Sequence, residues 1–487
     1  MTCDRASKAG EVDQIKTQEL QLYAKRAAVT PRSIKGAFRT FKTSVLLLGF
    51  TVYFGLPWVP WPRTDGPSQS VLFDIPGRRF LIFDLTIYPQ DIFLLSLLLF
   101  IAAVLLFFIT ALVGRAFCGY FCFQTLWTDA FIWIEHWLQG ERPQRLKLMK
   151  APWSQWDKLL KVGGTRIVWL ALSFWTAMTF VLYYGYAPDL LMRFLQGEAA
   201  AAAYIAVATL TVTTYLAAGV LREHVCMFIC PYGRFQSAMY DPETLTVHYD
   251  RRRGEGSAGR TPARTGLRSR EERQAKGYGD CIDCGLCVQV CPVGIDIRNG
   301  LQYPCIACGL CVDACNQIMD KMGFPRGLIR YDSETNLARP EPTPARLDWK
   351  RIKVIGYGLS LVLMTAHMAY ALTHRQLFEH SIQQVRQPLY VVLSDGSIRN
   401  RYEIRLTNLS GSDDTFRVSA RGLPEGALDL GNFREVTIRN GKSVTLQASV
   451  SLSPEDAARI TEFEFVIRNG RGDTVIDSAH FFTRRSG

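Results

Sequence analysis

Four stretches of the chain run for about twenty residues without a charge: Ile92 to Val113, Ile167 to Ala187, Ala199 to Leu221 and Val354 to Thr373. A helix rises about 1.5 Å per residue, so each is long enough to cross a hydrocarbon core of about 30 Å. A fifth stretch, Ser44 to Trp61, is shorter and carries Pro57 and Pro60 near its end. All five are predicted to be transmembrane helices. A sixth, Phe117 to Leu138, contains Asp129, Glu135 and His136, with Gln124, Thr128 and Glu135 near one helical face between Trp127, Phe131, Trp133 and Trp137. That pattern predicts an interfacial helix lying on the membrane. From Pro388 the period changes to two, as in Tyr402, Ile404 and Leu406 or Phe463, Phe465 and Ile467, with turn-forming Gly, Asn and Asp between the runs. Such a pattern predicts an immunoglobulin-like sandwich of roughly seven strands.

These elements divide the chain into a basic tail over 1–42, a membrane domain over 43–240 with four helices, a soluble segment over 241–350, a fifth helix over 351–374 and the sandwich over 375–487. The tail holds nine Lys/Arg against four Asp/Glu, and no removable signal peptide is expected. Residues 139–161 carry six Lys/Arg to two Asp/Glu, while 62–91 and 188–198 show no basic excess. Basic loops mark the cytoplasmic side, so the tail and residues 241–350 are expected inside and the sandwich in the periplasm. Formal charge is +12, but the basic residues sit beside apolar segments, as in Arg251, Arg252 and Arg253. That run reads as a linker beside anionic lipid, and nucleic acid is not an expected partner.

Cysteine changes the picture most. Residues 281–292 read C-I-D-C-G-L-C-V-Q-V-C-P and residues 305–316 read C-I-A-C-G-L-C-V-D-A-C-N, two copies of C-x2-C-x2-C-x3-C. Thiolate is the soft ligand that iron-sulfur clusters need, and zinc also accepts it. In two-cluster ferredoxins the fourth cysteine of each run serves the other cluster. The expected ligands are therefore Cys281, Cys284, Cys287 and Cys315 for one 4Fe-4S cluster, and Cys305, Cys308, Cys311 and Cys291 for a second. Gly285 and Gly309 hold matching loop positions, and Asn316 stands where the first run has Pro292.

Two more cysteine pairs follow hydrophobic helices. R-A-F-C-G-Y-F-C-F-Q-T gives Cys118 and Cys122, and R-E-H-V-C-M-F-I-C-P-Y-G-R-F-Q-S gives Cys226 and Cys230, an apparent internal repeat. If these ends stay helical, each pair projects from one face and the two pairs can build a four-thiolate site for Cu(I), zinc or an iron-sulfur centre, or cycle as disulfides. His224 is a further candidate ligand. No Ser-His-Asp set, phosphate loop or G-x-G-x-x-G fingerprint occurs, so hydrolytic and nucleotide-driven mechanisms have no support.

In order and motifs, from about Arg32 to the end, the chain resembles the FixG/CcoG (RdxA) family of accessory proteins for cbb(3)-type cytochrome c oxidase. The resemblance implies a bacterial inner-membrane location, two 4Fe-4S clusters and a role as cupric reductase, taking Cu(II) to Cu(I); the thiol preference of Cu(I) makes Cys118, Cys122, Cys226 and Cys230 the expected place for that step. It also implies oxidase assembly factors or copper chaperones as partners and a cytoplasmic electron donor of unknown identity. The alternatives are a quinol-linked subunit resembling NapH and NosR, and a non-enzymatic assembly scaffold.

Overall fold

The structure is a computed structural model describing residues 29–63, 66–263, 266–267, 269–340, 343–374, 378–431, 433 and 435–483. Most of the basic tail, residues 1–28, lies outside the described residues. The chain forms two compact units. The first takes in residues up to Phe54, Val104–Met178 and Ala201–Leu359; the second takes in Gly55–Ala103, Thr179–Ala200 and the chain from Ser360 onward.

The helices that span, flank or carry the cysteine-bearing segments are α1 (Ala37–Gly55), α2 (Ile92–Val113), α3 (Ala116–Tyr120), α4 (Phe123–Gln139), α5 (Trp156–Leu182), α6 (Ala201–Thr214), α7 (Pro231–Ala238), α8 (Leu286–Gln289), α9 (Leu310–Met322) and α10 (Ile352–Thr373). Among the described residues four helical stretches are long and apolar enough to cross a membrane: α2, α5, α6 with its π-helical extension to Leu221, and α10. The protein is thus a membrane protein, with one correction to the predicted five spans. The fifth, α1, starts at Ala37 and includes Arg39 and Lys42, and it ends at Gly55, where Pro57 enters a 3-10 turn. Its uncharged part, Ser44 to Gly55, is only about 18 Å long.

The charged start of α1 is satisfied inside the first unit. Asp129 of α4 accepts from Arg39 at 2.9 Å and pairs with Lys42 at 3.3 Å, and Lys42 is 1% exposed. The sixth apolar stretch is therefore not a continuous surface helix. It is broken between α3 and α4, and it buries Asp129 and Glu135 while Trp133 and Trp137 stay exposed. Glu135 is compensated by Arg145 and Arg222. Around these pairs Leu46, Leu126, Trp127, Phe131, Ile134 and Trp169 form one apolar cluster.

Strands β4 (Thr246–Tyr249) and β5 (Ile329–Asp332) pair antiparallel and close the segment that carries both cysteine runs. The second unit holds a meander, β1 (Val71–Asp74), β2 (Arg79–Ile82) and β3 (Leu85–Ile87), which no periodicity had marked. Its C-terminal part has β6 (Phe378–Gln384), β7 (Val391–Val392), β8 (Ile398–Asn408), β9 (Asp414–Arg421), β10 (Leu428–Asp429), β11 (Glu435–Ile438), β12 (Ser443–Leu452), β13 (Glu462–Asn469) and β14 (Thr474–His480). One sheet is ordered β10-β12-β8-β6 with β7 on β8, the other β11-β9-β13-β14, so the expected two-sheet sandwich forms with more strands than predicted. The extra edge strand β6 precedes Pro388; the polar His380 and Gln384, on the inward-facing side with Phe378 and Ile382, hide the alternation. The sheets close over Phe378, Tyr402, Phe416, Phe463, Phe465 and their aliphatic neighbours.

Phe465 is fully buried, so Phe465→Ala is expected to destabilise the sandwich by about 3–5 kcal/mol. Denaturant unfolding of the full chain followed by hydrogen exchange should show β13 and β9 opening early, with the visible absorption of the cysteine-rich segment unchanged.

Candidate functional site

The two cysteine runs fold as copies of one loop. In each, the residue before the second cysteine adopts a positive φ, 49° at both Asp283 and Ala307, and the glycine after it is left-handed, 66° at Gly285 and 71° at Gly309. Those glycines cap the N-termini of α8 and α9. At Gly309 a side chain would also meet Phe38 at 2.7 Å, so both conformation and space require glycine there. Pro292 follows the first run, whose helix ends at Gln289, whereas without a proline α9 runs on through Cys315 and Asn316. The Asn316 carboxamide instead accepts from Gly327 N at 3.0 Å.

One cavity is lined by Cys281, Cys284, Cys287 and Cys315, beside Tyr249, Ile282 and Leu286. A second is lined by Cys291, Cys305, Cys308 and Cys311, with Cys287 at its edge. All eight thiols are free. Burial pushes Cys287, Cys305 and Cys315 up to about 12 and Cys291 up to about 11. A thiolate in such surroundings needs a cationic partner, which iron supplies. Among the described residues no three Cys, His, Asp or Glu side chains stand close enough for one metal ion, zinc included. Four thiols around an apolar cavity fit a 4Fe-4S cubane.

The first unit clamps these loops from two directions. Asp313, between Cys311 and Cys315 on α9, accepts from Phe38 N at 3.3 Å and Arg39 N at 2.8 Å, satisfying amides that the start of α1 leaves free. Arg32 N donates to Gln289 O at 2.8 Å. From the other side α3 lies on the Cys305 loop: Tyr120 OH donates to Cys308 O at 2.9 Å, and a side chain at Gly119 would meet Ile306 O at 2.7 Å. Cys118 shares an apolar cluster with Ile306, Cys308, Cys291 and Cys305.

Both cysteine pairs depart from the expected helical continuation. Cys118 is in α3, but Cys122 is extended and precedes α4; Cys226 is in a π-helical turn, Val225–Ile229, and Cys230 is extended and precedes α7. At Cys230 the following proline excludes the helical conformation. Each second cysteine therefore sits immediately before a helix N-terminus. The two repeats exchange their polar side chains. Gln124 donates to Ala217 O at 2.7 Å and Arg222 O at 3.2 Å, while Gln236 accepts from the Cys118 thiol at 3.1 Å and donates to Thr110 at 3.0 Å. Cys118 lies within electrostatic reach of Cys122 and Cys230, and Cys226 of all three. Burial pushes Cys118 up to about 11 and Cys226 up to about 12, with Arg115 pulling the other way. Arg115 is 2% exposed, its Nη1 donates to Tyr303 O at 2.6 Å, its Nε has no partner, and among the described residues no carboxylate pairs with it. A buried guanidinium without a carboxylate is costly, and the side chain that Arg115 meets beside it is the Cys118 thiol. His224 is not brought to the thiols: its Nδ1 is 3.8 Å from Glu223 Oε1, and it lines a separate cavity with Arg145 and Lys158.

Three curated proteins are similar over nearly the whole length. RdxA and RdxB of Cereibacter sphaeroides are 42% and 40% identical over 82% and 85% of this chain and 84% and 86% of their own. The nitrogen fixation protein FixG of Rhizobium meliloti is 36% identical over 86% of this chain and 84% of its own. The chain belongs to the FixG/RdxA family. The family described as an Ig-like fold at the C-terminus of FixG matches residues 368–484, a 4Fe-4S dicluster domain matches 221–334, and a 4Fe-4S binding domain matches 95–142. This FixG/RdxA protein is accordingly an iron-sulfur electron-transfer protein of the membrane.

Several of its functional residues escape sequence reading. Tyr120, Asp313 and Tyr303 act through contacts across long separations, and no local pattern signals them. Arg115 and Gln236 had a signal, the shared Arg and Gln of the repeat, but their exchange between repeats is visible only in three dimensions. With the thiols divided four and four between the cavities, Cys315→Ser is expected to halve the iron content, from about eight to about four atoms per chain, and to remove the magnetic coupling between two reduced centres. Iron analysis and electron paramagnetic resonance of the anaerobically purified variant measure both.

Proposed function

We propose that the protein is a cupric reductase supporting copper-centre assembly in cbb(3)-type cytochrome c oxidase, located in the bacterial inner membrane. Cys281, Cys284, Cys287 and Cys315 would hold one 4Fe-4S cluster, and Cys305, Cys308, Cys311 and Cys291 the other, each supplying one-electron storage. The observation that carries the reading is that Cys118 shares one apolar cluster with Ile306 and Cys308, which supports a path from the second cluster loop to the membrane edge. Electrons leaving that loop reach Cys118, Cys122, Cys226 and Cys230 without crossing solvent.

Copper is the substrate at those four thiols. Cu(II) prefers nitrogen and oxygen donors and Cu(I) prefers sulfur, so a thiolate pair retains the reduced product. Arg115 balances the thiolate charge, and Gln236 orients Cys118. With four crossings and the basic excess over 139–161 on the cytoplasmic side, the cluster-bearing segment would be cytoplasmic and the sandwich periplasmic. Oxidase assembly factors or copper chaperones would receive the product on the sandwich side.

A second reading has its own observation. The match to a 4Fe-4S binding domain over 95–142 includes Cys118 and Cys122, so the four membrane-edge thiols are also candidates for a third iron-sulfur centre. The double variant Cys226→Ser, Cys230→Ser separates the two. Copper reduction should fall at least about 100-fold while iron content stays at the wild-type value, measured with a Cu(I)-specific chelator on anaerobically reduced protein. Iron falling with the variant would favour the third centre, and full-rate copper reduction would remove the thiols from the reaction.

A further inference from the structure

Strand β4 presents two unlike residues to the cysteine array. Val247 lines the cavity of Cys291, Cys305, Cys308 and Cys311, while Tyr249, two positions on and so on the same face of the strand, lines that of Cys281, Cys284, Cys287 and Cys315. Apart from cysteine, every side chain around the second cavity is apolar. The first has two polar groups, the Tyr249 phenol and the Arg298 guanidinium, and Asp283 and Asp296 already hold the guanidinium.

The Tyr249 hydroxyl is buried and has no hydrogen-bond partner. A buried phenol ordinarily finds one, because leaving the O–H unpaired is costly. Its surroundings leave little choice of acceptor. The hydroxyl lies against Gly254, where any side chain would strike it, and Gly254 O accepts from Cys281 N at 3.1 Å. Tyr249 and Cys281 belong to one buried cluster, and Cys281 is the foremost side chain within electrostatic reach of the phenol. Glu255 and Arg260 are also within reach, but they pair with each other at 3.8 Å. The hydroxyls beside the second loop are spent on carbonyls instead, Tyr120 on Cys308 O and Tyr331 on Ala307 O. A protonated thiol is a weak acceptor, whereas a thiolate accepts a strong, charge-assisted hydrogen bond.

We infer that the Tyr249 hydroxyl donates to the Cys281 sulfur when that sulfur is a cluster ligand, so that Tyr249 is a positioning residue, acting through Cys281, that raises the reduction potential of one centre and not the other; the inference rests on the assignment of the first cavity to a 4Fe-4S cluster. Reduction adds one electron and breaks no bond, and the added negative charge on the ligand sulfurs strengthens a hydrogen bond already aimed at one of them. The reduced form is thereby favoured. Val247 gives the second centre no such donor. The effect falls on the centre whose Cys284 is exposed, while the other shares its apolar cluster with Cys118. Tyr249 thus holds the electron more firmly at the end of the array away from the membrane-edge thiols.

The test is a redox titration of the anaerobic full-length protein followed by electron paramagnetic resonance, in which the signal missing from Cys315→Ser identifies the first centre. Tyr249→Phe should make that centre about tenfold harder to reduce, a fall of about 59 mV for one electron, with the other signal unmoved and iron at the wild-type value. Site-specific replacement of Tyr249 by a ring-fluorinated tyrosine, a stronger donor of nearly the same size, should move the potential of the same centre upward. No shift in either variant, an equal shift of both centres, or a downward shift with the fluorinated ring would each overturn the inference. Should the phenylalanine variant lose iron, the direction of the shift with the fluorinated ring decides alone. Wild-type protein holding well under about eight iron atoms per chain would strike the cluster assignment itself, and the inference with it, a failure distinct from an unmoved potential in fully loaded protein.

Discussion

Each cysteine run supplies three corners of one cavity and a single corner of the other, so the two loops must be held at one fixed separation. That constraint explains the construction of the first unit. β4 and β5 tie the ends of the segment together. α9 carries Cys311 for one cavity and Cys315 for the other on one continuous helix, which the absence of a proline at Asn316 permits. The strap and α1 press from one side through Arg32, Phe38 and Asp313, and α3 presses from the other through Gly119 and Tyr120. Loosening any of these would widen one cavity at the expense of its neighbour.

Charge placement follows a second logic. The helices bring Lys42, Asp129, Glu135 and Arg145 into an interior where each is less than about a tenth exposed, and every one has an opposite partner. Arg115 is compensated differently, since its neighbours are thiols. The repeats cross over so that Arg222 of the second compensates Glu135 beside the first, while Arg115 of the first reaches toward Gly233 of the second. A fold assembled from two similar halves thereby gains a centre to which both contribute.

Much of this was legible in the chain itself. The cysteine spacing is set by covalent geometry around a cluster, and it divided the eight thiols into the same two groups that line the two cavities. The apolar runs of α2, α6 and α10 are strong because lipid tolerates no charge, and the alternation of β8, β9 and β13 is strong because one face is dry. What failed was local continuity. Nothing in C-x3-C says that the second cysteine leaves the helix except the proline after Cys230, and Cys122 has none. α1 read as a span because Arg39 and Lys42 lie outside its apolar run, and their partner Asp129 is far along the sequence. The β1–β3 meander and β6 carry too few buried positions to show a period.

Asp313 gives the cysteine array a bearing on α1. The carboxylate that satisfies the first amides of α1 sits on the same helical turn as the thiols that bracket it, so the anchor for α1 is held by a helix that carries cysteines more than two hundred residues later. The seating of α1 and the ordering of the cysteine-bearing helix are thereby tied to the same carboxylate, and a change at Asp313 is felt by both.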